Sequence, residues 1–251
     1  MVGSLDQSCR GDTVSKVQST RGFKWMLLVM GVFVLPGLLG LGIWQLGRAE
    51  EKQVLIQQWQ GSGEVAKGLN HPSLQQFSLI RHQGKFEQER WFLLDNRTRQ
   101  GRVGYEIVAL FFPQRSERHI LVNLGWVSAD QDRRILPKIE LPKGVVTVQG
   151  RLTEVSKPLV LGESLWRPTW PQRIQRIELD GLEQRLGIIL MPWVIRPNEP
   201  VLPEADLSWS PAVMLPEKHQ AYAVQWFAMA GVLVLLIGWN LLRLRREEAG
   251  I

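Results

Sequence analysis

Histidine is the side chain best suited to ligate a metal or move a proton near neutral pH, and this chain has four: His71, His82, His119 and His219. The first three fall in loop-like or strand-like contexts, where a solvated or half-buried ring is the ordinary outcome. His219 has different neighbours. On a helix, His219, Tyr222 and Trp226 stand at i, i+3 and i+7 and share one face. A histidine beside aromatic rings at the end of an apolar helix could ligate the iron of a haem lying in lipid-like surroundings. Arg48, at the matching end of a second apolar run, could then pair with a propionate. The same spacing also describes an aromatic belt at a membrane surface, with the histidine capping the helix. Spacing alone leaves both readings open.

Other chemistry has little support. The chain has no glycine-rich phosphate loop, no G-x-S-x-G elbow, no H-E-x-x-H and no calcium loop. Among 24 acidic residues a pair of carboxylates can always be named, so naming one carries no weight. The single cysteine, Cys9, rules out an internal disulfide and a CxxC copper or zinc site. A net charge of +6 and a pI near 9.8 invite a nucleic-acid reading. No basic stripe with interleaved aromatics accompanies them, so no nucleic-acid partner is expected. Much of the surplus lies in the two tails, where it would touch anionic lipid.

The elements that must position His219 and Arg48 are two uncharged apolar runs, residues 25–47 and 221–242. Each is long enough to cross a hydrocarbon layer of about 30 Å as a helix. Trp25 and Trp44 bracket the first; Tyr222, Trp226 and Trp239 lie near the ends of the second. Gly31, Gly37, Gly40, Gly42, Gly231 and Gly238 would let helices approach closely, and Pro36 is placed to kink the first. The first run is too long for a signal-peptide core and leads to no small-residue cleavage site, so an uncleaved anchor is expected. Arg10, Lys16, Arg21 and Lys24 precede it, and Arg243, Arg245 and Arg246 follow the second run. Basic flanks stay in the cytoplasm, so both tails (1–24 and 243–251) are expected inside and residues 48–220 outside. Without the pattern of a transit peptide, the expected location is a bacterial inner membrane with the main domain in the periplasm.

Within 48–220, residues 46–59 read as a charged helix continuing the first span, stopped by Gly61-Ser-Gly63. Short β-like segments follow at 77–86, 90–94, 104–112, 119–127 and 145–152. Turn signals lie between them at Asp95-Asn96, Gln100-Gly101, Pro113–Glu117, Asp130–Arg133 and Pro142-Lys-Gly144. From Pro158 the pattern is less regular, with a strand at 174–179, a helical turn at 180–186 and a strand at 192–195. The expected fold is two transmembrane helices flanking a mainly β domain, an antiparallel small barrel or sandwich with some α.

Read in order, several short motifs resemble the Surfeit locus protein 1 family, the assembly factors of cytochrome c oxidase. They include Gly40-Leu-Gly-Ile-Trp44-Gln45-Leu46-Gly-Arg48, Gly84-Lys-Phe86, Leu94-Asp-Asn96-Arg97, Gly104-Tyr105, Val122-Asn123-Leu-Gly125-Trp126-Val127 and Val148-Gln-Gly150-Arg151. The ending His219-Gln-Ala-Tyr222-Ala-Val-Gln225-Trp226-Phe227-Ala228 completes the set. Each motif is weak singly; the ordered set, from about Leu41 to Ala228, is specific. The resemblance implies a non-enzymatic factor that assists haem a insertion into the catalytic subunit of the oxidase, with the haem a synthesis enzyme as a further partner. It implies His219 as the iron ligand, with Trp44, Gln45, Arg48, Tyr222 and Trp226 as supporting positions. A cofactor-free membrane chaperone that docks an oxidase subunit is the alternative. The chain departs from the family's usual Asn-Arg-Gly-Trp-Val-Pro, having Leu124 and Ser128 in place of the arginine and proline. Gly125 and Trp126 then only shape and fill a strand end, and Arg97 serves as a turn residue paired with Asp95.

Overall fold

The computed structural model describes residues 22, 25–61, 65–155, 166, 168–211 and 214–248. The basic N-terminal tail with Cys9, residues 62–63 of the expected helix stop, and the irregular stretch from Pro158 to Leu165 lie outside the described residues. Two long apolar helices flank, in sequence, a mixed six-stranded β domain. The chain divides into two compact units, one formed by the helices and one by residues 58–211.

Helix α1 runs Trp25–Gln60 and helix α3 Pro216–Glu248; both are long and apolar enough to cross a membrane. Their apolar side chains mostly point outward: Phe33, Leu235 and Trp239 are exposed. Such a surface suits lipid and not water. The Met30–Val34 turn of α1 is widened to π geometry, and the Leu35 N–H donates to the Met30 carbonyl, five residues back. Pro36 explains the local change. It has no N–H for the Val32 carbonyl and its ring crowds that carbonyl, so the turn before it opens. The expected kink at Pro36 takes the form of this π turn.

The β domain is a closed barrel. Strands β1 (Leu79–Arg99), β2 (Arg102–Pro113), β3 (His119–Ser128), β4 (Val146–Glu154) and β6 (Leu190–Pro197) pair in the ring β1-β2-β3-β6-β4-β1. Short β5 (Gln172–Ile174) adds to β1. The residues expected as strands at 77–86 and 90–94 form one strand. Its polar Glu87–Arg90 segment is a register shift, not a turn. Arg90 pairs with Glu87 there at 2.9 Å, and the Gln88 amide donates to the Phe86 and Pro142 carbonyls. A bulge satisfies polar residues locally while the strand runs on. Asp95-Asn96 is likewise a bulge inside β1, with Asn96 at φ 58°. Gln100-Gly101 does form the tight β1–β2 turn, both residues having positive φ.

Barrel closure depends on one corner. Gly84 pairs with Val146 of β4 and with Pro113 of β2, so β1 changes partners at that residue. A Cβ there would lie 2.4 Å from the Phe112 carbonyl oxygen and 2.5 Å from the Phe111 ring, which only glycine avoids. The antiparallel expectation holds for β1–β2, β2–β3, β1–β4 and β4–β6, but β3–β6 and β1–β5 are parallel. The strands do not meander, because β6 inserts between β3 and β4. Residues Tyr105, Ile107, Ala109 and Phe111 of β2 face the barrel interior with Ile120, Val122 and Ile195. Val108 and Leu110 face outward into a second core with Phe92, Leu121, Val194 and Leu182 of helix α2 (Leu179–Leu186). Burial on both faces accounts for the unbroken apolar run of β2.

A short segment after β6 seals one side. Asp206 exchanges backbone hydrogen bonds with Trp126 at 2.8 and 2.9 Å. Hydrogen bonds from Ser208, with the Arg99 guanidinium at 3.0 Å, hold the Asp206 carboxyl down at about 2, below its ordinary 3.8. A depressed carboxyl contributes stability that is complete above its unfolded value and is lost as pH falls through the folded one. Thermal unfolding of the full chain in detergent is therefore expected to weaken between pH 4 and 2 more in wild type than in Asp206→Asn. The carboxylate is 37% exposed, so solvent screening keeps the difference small. Identical pH profiles would remove this contribution.

Candidate functional site

The two apolar helices pack antiparallel along a narrow seam. Gly31 of α1 meets Ile237 of α3, Gly42 meets Phe227, and Gln45 meets His219. The buried residues of these helices are Leu27, Gly42 and Ala49 on α1, and His219, Ala223, Ala230 and Leu233 on α3. Steps of three and four residues keep such a seam facing one partner. Small residues let the backbones close: a Cβ on Gly42 would stand 2.5 Å from the Phe227 ring. The large ring fills the gap that the missing side chain leaves.

His219 sits at the end of this seam and is only 8% exposed. Its Nδ1 lies 2.7 Å from Gln45 Oε1. An amide oxygen only accepts, so Nδ1 is the donor in this contact, and in the neutral tautomer that it selects Nε2 is the acceptor. Nε2 is buried and has no hydrogen-bond partner. A ring with one nitrogen oriented by a neighbouring carbonyl and the other free is the arrangement of a histidine prepared for a metal. It is also an unsatisfied buried acceptor, which costs about 1–3 kcal/mol unless something fills it.

The other expected site residues lie around this pair but are not gathered on it. Trp44 is 56% exposed and points away from the seam, and Tyr222 is 43% exposed. Trp226 is half-buried at the seam's edge. The face defined by His219, Tyr222 and Trp226 is therefore not the buried one; the seam runs from His219 to Ala223. Arg48 forms an ion pair with Glu51 one turn along its own helix. Among the described residues no group of three or more His, Cys, Asp or Glu is gathered around a point. A metal here would take its protein ligand from His219.

A profile of the SURF1 family matches residues 32–231, a span that holds Gln45, His219 and the whole barrel. The chain belongs to the SURF1 family. SURF1 family proteins are known as cytochrome oxidase assembly factors and are not enzymes. No curated protein sequence matches the chain significantly.

The remaining sequence-predicted positions sit in the β domain, and there His119 Nδ1 is also buried without a hydrogen-bond partner. His71 Nδ1 accepts from the Ser73 N–H at 3.2 Å, and His82 Nε2 lies 3.0 Å from the Gln114 carbonyl. His119 stands edge-on to Phe112, with ring centroids 4.5 Å apart. Gly125, at φ 122°, turns the β3 bulge, and the Trp126 indole donates to the Arg97 carbonyl at 2.9 Å. Arg97 does not pair with Asp95, which instead holds Arg133 and Arg173; Arg97 Nε lies 3.8 Å from Glu106. Sequence reading missed the cluster that Arg97 joins, made with Arg196 and Trp209 from distant segments. No local pattern marks those two residues.

Proposed function

We propose that this SURF1 family protein assists haem a insertion into the catalytic subunit of a cytochrome c oxidase, holding haem a transiently with His219 as the iron ligand. The observation that carries the reading is the His219 ring itself, with Nδ1 committed to Gln45 and Nε2 buried and unpartnered. Haem a, if bound, would be held by His219 through Nε2, and its iron would supply the coordination chemistry. Gln45 orients the ring and fixes its tautomer. Nε2 is closed off in the paired helices, so ligation requires α1 and α3 to part at this level. Closing them again removes the ligand from reach, which suits a carrier that must release. Arg48 would leave Glu51 to meet a propionate, and Trp44, Tyr222 and Trp226 would line the approach from lipid. The helices would place both tails in the cytoplasm of a bacterium and residues 48–220 in the periplasm. There the barrel would dock on the nascent subunit near the haem a synthesis enzyme.

Two outcomes follow. In cells carrying His219→Ala the oxidase should be assembled poorly and be deficient in haem a; normal haem loading would contradict the reading. Gln45→Ala should weaken haem a binding about 10–100-fold, as loss of a ligand-orienting partner does, measured by titration of the detergent-purified protein. Unchanged affinity would show that Gln45 only packs. The burial of His219 favours one rival, a cofactor-free chaperone in which the histidine is a structural seam residue. That protein would capture the oxidase subunit equally well with or without His219.

A further inference from the structure

We propose that the barrel carries an oxyanion-binding site, formed by Arg97, Arg99 and Arg196 around Glu106, that takes the carboxylate or phosphate group of a small-molecule ligand. The site is built by register. Arg196 of β6, Asn123 of β3, Glu106 of β2 and Arg97 of β1 stand on four adjoining strands. Each of the first three lies two residues from an outward-facing core position, Val194, Leu121 and Val108, so they share the outer face of the sheet. The apolar part of that face is covered by α2, and the charged part is the continuation of the same surface.

The charges there do not balance. Asp206 is committed to Arg99 at 3.0 Å. Glu106 accepts a hydrogen bond from the Asn123 amide at 2.8 Å and stands 3.8 Å from Arg97 Nε, beyond hydrogen-bond length. Arg97 Nε is buried and has no hydrogen-bond partner. The Arg196 guanidinium makes no hydrogen bond or ion pair among the described residues. It lies over the Trp209 ring at 5.2 Å, and Arg99 lies over the same ring at 5.3 Å. Three guanidinium groups thus face two carboxylates, and the surplus cation keeps its fork of N–H donors unused. Burial, with Arg97 and Arg99 beside it, lowers the pKa of Arg196 from its ordinary value and Glu106 opposes this only in part; the group stays a cation. Planar N–H forks held in place by an aromatic ring match the oxygens of a carboxylate or phosphate. An arriving oxyanion would satisfy donors that the protein leaves open and neutralise the excess charge.

The test is calorimetric titration of the full chain in detergent with inorganic phosphate and, separately, with succinate, against sodium chloride at matched ionic strength. Saturable binding of at least one anion is expected, and the tighter of the two identifies the ligand chemistry. Arg196→Gln should weaken it by about tenfold, as loss of a charge-assisted fork does, and Arg196→Lys should fall between. Glu106→Gln keeps the acceptor for Asn123 but removes a negative charge, so it should bind more tightly. That opposite sign separates a binding effect from damaged folding. Wild type that binds neither anion, or variants that bind as wild type does, would overturn the site. The inference is independent of His219, and either can fail without the other.

Discussion

Replacing His219 with alanine is expected to lower haem a affinity by at least about a hundredfold, more than the loss of a partner that merely orients a ligand. The argument rests on one nitrogen. Nε2 is buried in the seam without a hydrogen-bond partner, while Nδ1 is held by Gln45 at 2.7 Å. Alanine removes the lone pair and also leaves Gln45 unpaired, so a poorly packed seam could mimic a lost ligand. His219→Gln separates the two effects. Its amide can still donate to Gln45 Oε1, so the seam survives, but it offers no imidazole to iron. Both variants should lose haem, and added imidazole should restore the spectrum of His219→Ala by filling the space left. Haem retained by both variants would assign His219 to packing alone.

Gly42→Val should pull the two helices apart. The first added atom would stand 2.5 Å from the Phe227 ring, and neighbouring ring atoms lie at 2.7 and 2.9 Å. Overpacking of this kind costs about 1–3 kcal/mol when the surroundings can shift. Here the simplest shift is separation of α1 from α3. Cysteines placed at Gly31 and Ile237, with Cys9 replaced by serine, should be joined in the parent by a short bifunctional thiol reagent because those positions face each other. The Ile237 side chain lies 3.7 Å from the Cβ position of Gly31. Gly42→Val should suppress that cross-link, and adding Phe227→Ala should restore it by making room. Equal cross-linking in all three proteins would mean that the seam is not held by this contact. Separation would also break Gln45–His219, so Gly42→Val links packing to the proposed site.

The parts of this molecule that were legible in sequence are those decided locally. Two apolar runs announce two long helices because length and composition suffice. The strand expected at 119–127 is found at His119–Ser128, since an Ile-Leu-Val run buried on both faces has few alternatives. Errors arise where distant residues decide. The strands expected at 77–86 and 90–94 read as separate, but β2 pairs with Phe86 and Trp91 on both sides of the polar segment and makes it a bulge in one strand. The place of β6 between β3 and β4 depends on pairings that no local pattern records. The same division holds at the site. Tyr222 and Trp226 stand at helical spacing from His219, yet the buried face is chosen by how Gly42 accepts Phe227, which turns His219 inward and leaves Tyr222 outside. Gln45 follows from the family resemblance, but its contact with His219 spans 174 residues. Arg196 and Trp209 had no signal, because a cation stacked on a ring is visible only after the strands are aligned.

The most direct measurement is the absorption spectrum of the wild-type protein, purified in detergent from cells that make haem a and from cells that do not. A Soret and α band of haem a, present only in the first preparation and shifting on addition of a competing axial ligand, is the predicted result. A colourless protein from both, still able to capture the oxidase catalytic subunit, would contradict haem carriage and leave His219 as a residue that holds two helices together.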